Sequence, residues 1–133
     1  MTAFVVDASI AVAWLMPDES DPYVKETDIG LGRHDLVVPP LFDFEVRNIV
    51  VVNERRGRID RNAADAALTE FDLLPYETDH ACDSGRIVTL ARKHGLTVYD
   101  AAYLELALRR AAPLATLDHA LRAAAAAEGM AFG

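Results

Sequence analysis

A single cysteine, Cys82, occurs in this chain of 133 residues, so no disulfide can close within it. Nor can a familiar zinc spacing be assembled from Cys82 and the scattered His34, His80, His94 and His119. No apolar run approaches the roughly 18 residues of a membrane span. Met1-Thr2-Ala3 carries no basic leader, and the expected location is the cytoplasm, with no membrane partner. Positive charge is scarce: 13 basic residues face 21 acidic ones, for a net charge of −8. That balance disfavours a polyanion held over the whole surface. Lysine is nearly missing, with only Lys25 and Lys93; the other basic residues are arginine, the better bidentate partner for phosphate. Arg47, Arg55, Arg56, Arg58 and Arg61 crowd into one stretch against only Glu54 and Asp60, which keeps local phosphate contact open. Repeats, linkers and low-complexity segments are missing too, so the expectation is a single domain, 1–133. About half of the residues are hydrophobic (52%), enough for a continuous core without disulfides.

Short apolar runs alternate with segments of helical composition. Strands are expected at Phe4–Val6, Asp35–Pro39, Leu96–Tyr99 and Leu114–Leu117, with a further short one at Met130–Phe132. Helices are expected at Ser9–Met16, Tyr23–Gly30, Leu41–Arg56 (capped by Gly57), Asp60–Leu73, Asp79–His94 (Asp79 as cap), Asp100–Ala112 and Asp118–Glu128. Strands that alternate with helices indicate an α/β fold: a central parallel sheet of four to five strands, covered by helices on both faces in a three-layer sandwich.

Three acids close apolar runs: Asp7 after Ala3-Phe4-Val5-Val6, Asp100 after Leu96-Thr97-Val98-Tyr99, and Asp118 after Leu114-Ala115-Thr116-Leu117. A fourth, Glu45, lies in the apolar segment Leu41–Val46. Desolvating such acids is costly unless they are paired or bind a cation. The carboxyl ends of parallel strands converge on one crevice, so these residues can meet although distant in sequence. An acid cluster without matching bases suits a hard divalent cation, Mg²⁺ or Mn²⁺. Aspartate is also a good N-cap, and a cap and a ligand are compatible because the two oxygens act separately. Ser9 lies within reach of a ligand or its water. Thr116 shares one side of its strand with Asp118, and Asn48 shares a helix face with Glu45. Asp79 reads as a cap. Glu105 falls on a different helix face from Asp100, and Tyr99 and Tyr103 read as core or rim. The stretch Ile49–Val52 suits either the core or a protein-binding surface.

The segments Val5-Val6-Asp7-Ala8-Ser9, Phe42–Asn48, His94–Ala107 and Leu114–Leu121 together resemble, in order and spacing, the PIN-domain proteins, in particular the VapC-type toxins of toxin–antitoxin pairs. The resemblance spans essentially the whole chain. It implies a parallel sheet wrapped by helices and a Mg²⁺- or Mn²⁺-dependent endoribonuclease activity on structured RNA such as tRNA or rRNA. It also implies a homodimer and a cognate antitoxin. By position, the family's acidic quartet falls on Asp7, Glu45, Asp100 and Asp118, its hydroxyl positions on Ser9 and Thr116, and its helix asparagine on Asn48. Carboxylate-held metal activates water and offsets phosphate charge, and no His or Lys pair is placed for metal-free attack by the 2′-hydroxyl. The expected products carry a 5′-phosphate and a 3′-hydroxyl. Two alternatives compete. A Mg²⁺-dependent phosphatase or phosphotransferase usually carries a second Asp where Ser9 stands, and a lysine near the phosphate. A non-catalytic protein-binding module would have no use for an intact acid quartet.

Overall fold

The computed structural model describes residues 2–133. In chain order the elements are β1 (Ala3–Val6), α1 (Ala8–Leu15), α2 (Pro22–Gly30), β2 (Asp35–Val38), α3 (Phe42–Arg55), α4 (Arg61–Asp72), β3 (Glu77–Thr78), α5 (Ser84–His94), α6 (Val98–Arg110), β4 (Leu114–Ala115) and α7 (His119–Ala127). The four strands form one parallel sheet in the order β3-β2-β1-β4. The chain steps from β1 to β2 to β3 in one direction, then returns to the other side of β1 for β4. Parallel crossovers are right-handed, so reversing the direction sends the later helices to the opposite face. Accordingly, α1 packs on β1 and on α2, α3 and α4, whereas α6 packs on β1, β4, α5 and α7. The fold is the expected α/β sandwich. Its core runs from Phe4, Val5 and Val6 through Val37 and Val38 to Leu104, Leu106 and Leu114, all buried.

Local signals set most helix ends. Asp7, Asp21, Asp60, Asp83 and Asp118 each cap a helix through a side-chain oxygen. Gly95 leaves α5 at φ +65°, a left-handed conformation that costs glycine little.

The sequence expectation fails at Leu96–Tyr99, which is not a strand. Thr97 N-caps α6, whose first residue is Val98. Gly95 ends one helix and Thr97 opens the next, so the β-preference of Val98 and Tyr99 is overridden by capping on both sides. Asp100 is therefore the third residue of a helix rather than the end of a strand. The remaining sheet position belongs to β3, two residues with no apolar alternation to announce them. The cap of α5 is Asp83, not Asp79. Met130–Phe132 contributes one bridge, Ala131 to Leu114. Within Ile49–Val52, Val50 is core and Val51 is exposed.

Candidate active site

Reversal of strand order between β1 and β4 creates a switch point, the place where open α/β sheets hold their ligands. Asp7 follows β1 there, and Thr116 follows β4. The Asp7 amide donates to the Ala115 carbonyl at 3.2 Å. The Asp7 carboxylate is buried, 5% exposed, and both its oxygens are held. Oδ1 accepts from the Ser9 hydroxyl at 2.5 Å and from the Ile10 amide at 3.3 Å, and Oδ2 accepts from the Thr116 hydroxyl at 2.5 Å. The same hydroxyl oxygens accept in turn: Ser9 Oγ from the Leu117 amide at 3.1 Å, Thr116 Oγ1 from the Asp118 amide at 3.0 Å. Ser9 and Thr116 thus direct their protons to Asp7 and lock the loop after β4 to the end of β1.

Glu45 lies in the first turns of α3, half-buried, and its Oε1 accepts from the Tyr103 hydroxyl at 2.6 Å. Asp100 sits in the first turn of α6, where a negative charge complements the helix dipole. Its amide donates to the Thr97 hydroxyl at 3.1 Å. Asp118 is exposed, and one of its oxygens caps α7 by accepting from the Leu121 amide at 2.8 Å. Asn48 is exposed, one turn beyond Glu45.

Electrostatics tie these acids together. Burial raises the pKa of Asp7, and the hydrogen bonds from Ser9, Thr116 and Ile10 reverse this only in part. Burial also raises Glu45; the Tyr103 hydrogen bond opposes it, and the charges of Asp100 and Asp7 add to it. Asp100 is raised by burial and by the charges of Asp118 and Asp7, with Thr97 opposing. Among the described residues no Lys, Arg or His side chain hydrogen-bonds to Asp7, Glu45 or Asp100. The donors are all oxygen, negatively charged and mutually repelling, which fits a hard divalent cation. Among the described residues, no three of them close around a single point.

Metal-free stability follows from these directions. Each raised carboxyl favours the folded state below its ordinary pKa of about 4, and that contribution is lost as pH rises through the raised value. In EDTA the melting temperature is therefore expected to rise as pH falls from neutrality toward the ordinary carboxylate pKa of about 4. Millimolar Mg²⁺ or Mn²⁺ is expected to raise it at neutral pH. Thermal melts across that range, with and without metal, check both; a flat profile and no metal shift would remove the cluster from consideration.

Beside Ser9 a cleft of about 620 Å³ opens, lined among others by Val12, Met16, Asn53, Arg58 and Ile59. Of the crowded arginines, Arg47 is paired with Asp43 and Asp72, whereas Arg55, Arg56, Arg58 and Arg61 are exposed.

Two features escaped the sequence reading. Tyr103 reads as core or rim, yet its hydroxyl reaches an acid of the cluster; the one hint is its position one turn on from Asp100. Glu105, expected to carry little weight, is fully buried. Arg109 Nε donates to Glu105 at 2.7 Å, Arg109 also grips Asp79 with two bonds of 2.9 Å, and Arg110 joins Asp79 to Glu77. Burial pushes Asp79 up, but the Ala81 amide, Arg110 and Arg109 outweigh it and hold the carboxyl below its ordinary value. The i,i+4 spacing of Glu105 and Arg109 was the only sequence sign of this network.

Comparison with known proteins adds to the geometry. The family model of the PIN domain matches residues 4–127. Over 122 residues the chain is 35% identical to a protein of Pyrobaculum aerophilum named Ribonuclease VapC3, covering 88% of this chain and 90% of that relative. The crystal structure of PAE2754 from Pyrobaculum aerophilum superposes with a TM-score of 0.72 at 26% identity, covering 92% of this chain and 79% of the other.

Proposed function

Because the chain belongs to the PIN-domain family, among its VapC-type members, we propose that it is a metal-dependent endoribonuclease and the toxin of a toxin–antitoxin pair. The observation that carries this reading is the group Asp7, Glu45 and Asp100 at the mouth of β1: three carboxylates raised by burial, Glu45 and Asp100 raised further by neighbouring acid charge, with no cationic side chain among the described residues hydrogen-bonded to them. Asp118 lies close enough for its charge to act on Asp100.

Asp7 and Asp100, with the free oxygen of Asp118, would hold Mg²⁺ or Mn²⁺, with Glu45 reaching it through a water; when bound, the metal would lower the pKa of that water and offset phosphate charge. The remaining work falls to the chain. Ser9 and Thr116 fix both oxygens of Asp7, so its orientation costs nothing when substrate arrives. Glu45, raised and half-buried, keeps one oxygen off Tyr103 and accepts the proton of the attacking water. The scissile bond then breaks to leave a 5′-phosphate and a 3′-hydroxyl. Arg58 in the cleft beside Ser9, with Arg55, Arg56 and Arg61 nearby in sequence, supplies phosphate contacts for the flanking strand. A tRNA or rRNA substrate, a cognate antitoxin and a homodimeric state complete the proposal; all three rest on the family relationship.

The test is incubation of partner-free protein with total bacterial RNA in Mg²⁺, in Mn²⁺ and in EDTA. Discrete fragments bearing 5′-phosphates, formed only with metal, are expected. Products with 2′,3′-cyclic phosphate ends, or cleavage that persists in EDTA, would refute the mechanism.

A further inference from the structure

We propose that Tyr103 is a positioning residue for Glu45: its phenol holds one oxygen of the Glu45 carboxylate so that the other is presented to the space shared with Asp7 and Asp100. The proposal rests on the nuclease reading of that site.

Tyr103 is fully buried and is the largest of the fully buried side chains among the described residues. A buried phenol needs a partner for its hydroxyl, and here the partner is Glu45 Oε1 at 2.6 Å, across 58 residues of sequence. Tyr103 lies three residues after Asp100 in α6, so the two share a helix face. The bond therefore joins α3, from one helical layer, to the same face of α6 that carries Asp100. The charges of Glu45, Asp7 and Asp100 all act on the phenol. Burial first, then the Glu45 bond and those charges, hold its pKa far above the ordinary phenol value. In this bond the hydroxyl is the donor and the carboxylate oxygen the acceptor.

Glu45 needs such a tether. Its side chain is long and half-buried, and the neighbouring acids repel it. Without a fixed donor, repulsion and rotamer entropy both favour turning the carboxylate out to water. Asp7 is held by Ser9 and Thr116; Tyr103 is the corresponding hold on Glu45.

The test compares the parent protein with Tyr103→Phe, Glu45→Gln and the double variant. Mn²⁺ affinity is read by electron paramagnetic resonance of free Mn²⁺, and kcat and KM are measured on a cleaved RNA. Loss of an outer hydrogen-bond partner costs a metal site about 10–100-fold in affinity or activity. Tyr103→Phe is expected to weaken Mn²⁺ binding and lower kcat by that order, with KM for RNA unchanged and no further loss on the Glu45→Gln background. Parental Mn²⁺ affinity and kcat, with only the melting temperature altered, would reduce Tyr103 to a packed core residue. Additive losses in the double variant would show that it does not act through Glu45. Should Tyr103→Phe fold poorly, Tyr103→Met removes the same donor with an apolar side chain that repacks more readily, and is expected to give the same loss. A parent that binds Mn²⁺ but cuts no RNA would defeat the nuclease reading while the Mn²⁺ titrations still decide the role of Tyr103.

Discussion

Asp7→Asn is expected to leave a folded protein that binds Mn²⁺ poorly and cleaves RNA about 10²–10³-fold more slowly, the scale of losing one preorganised electrostatic element. The substitution removes a charge and almost no volume. Asparagine keeps an oxygen for the Ile10 amide, so the start of α1 is retained. What disappears is a buried negative charge that burial disfavours and that repels Glu45 and Asp100. In EDTA at neutral pH the variant should therefore melt no lower than the parent, and higher if repulsion outweighs the weakened hydrogen bonds. Activity and stability moving in opposite directions mark a site held against its own charge. Cleavage within tenfold of the parent would place the chemistry elsewhere; lost activity with a collapsed melting temperature would make Asp7 structural.

Arg109→Met is expected to have the largest effect on stability. Glu105 is fully buried and takes two bonds from Arg109, at 2.7 and 3.2 Å, and one from the Asp83 amide at 3.2 Å. Methionine retains much of the apolar stem but strands the Glu105 charge. Breaking a buried pair from one side costs about 3–5 kcal/mol. The lower figure applies because the Asp83 amide still serves Glu105 and Arg110 still serves Asp79. A loss of about 3 kcal/mol in urea melts corresponds to a fall on the order of 10 °C in Tm for a domain of this size. Glu105→Leu combined with Arg109→Met should lose less than Arg109→Met alone, because no charge is then stranded. A single variant within about 0.5 kcal/mol of the parent would show the network to be a solvated surface feature. RNA cleavage at a temperature where both proteins are folded should be similar, since Glu105 and Asp79 belong to a network separate from the Asp7 cluster.

Asp7 and Asp118 each stand at a helix start that the sequence had marked, and the structure finds both capping there. Helix ends are legible because a cap and the amide it serves are only three residues apart. Leu96–Tyr99 shows the limit. Its β-branched and aromatic residues favour a strand, but the caps on either side leave no room for one. β3 was invisible for the opposite reason, since its two residues carry no pattern.

The sequence by itself determined the strand-then-helix order, the acid at the end of β1 and the family resemblance, because apolar periodicity and motif spacing are local properties. Tertiary structure alone decided which side chains touch. The bond from Thr116 to Asp7 spans 109 residues and that from Tyr103 to Glu45 spans 58, and no local pattern encodes either. Both exist because the chain reverses direction across the sheet to lay β4 beside β1, bringing the end of one strand and the start of a distant helix to a single crevice. The same reversal turned Thr116 toward Asp7, whereas the Ser9 bond to Asp7 is local, two residues apart.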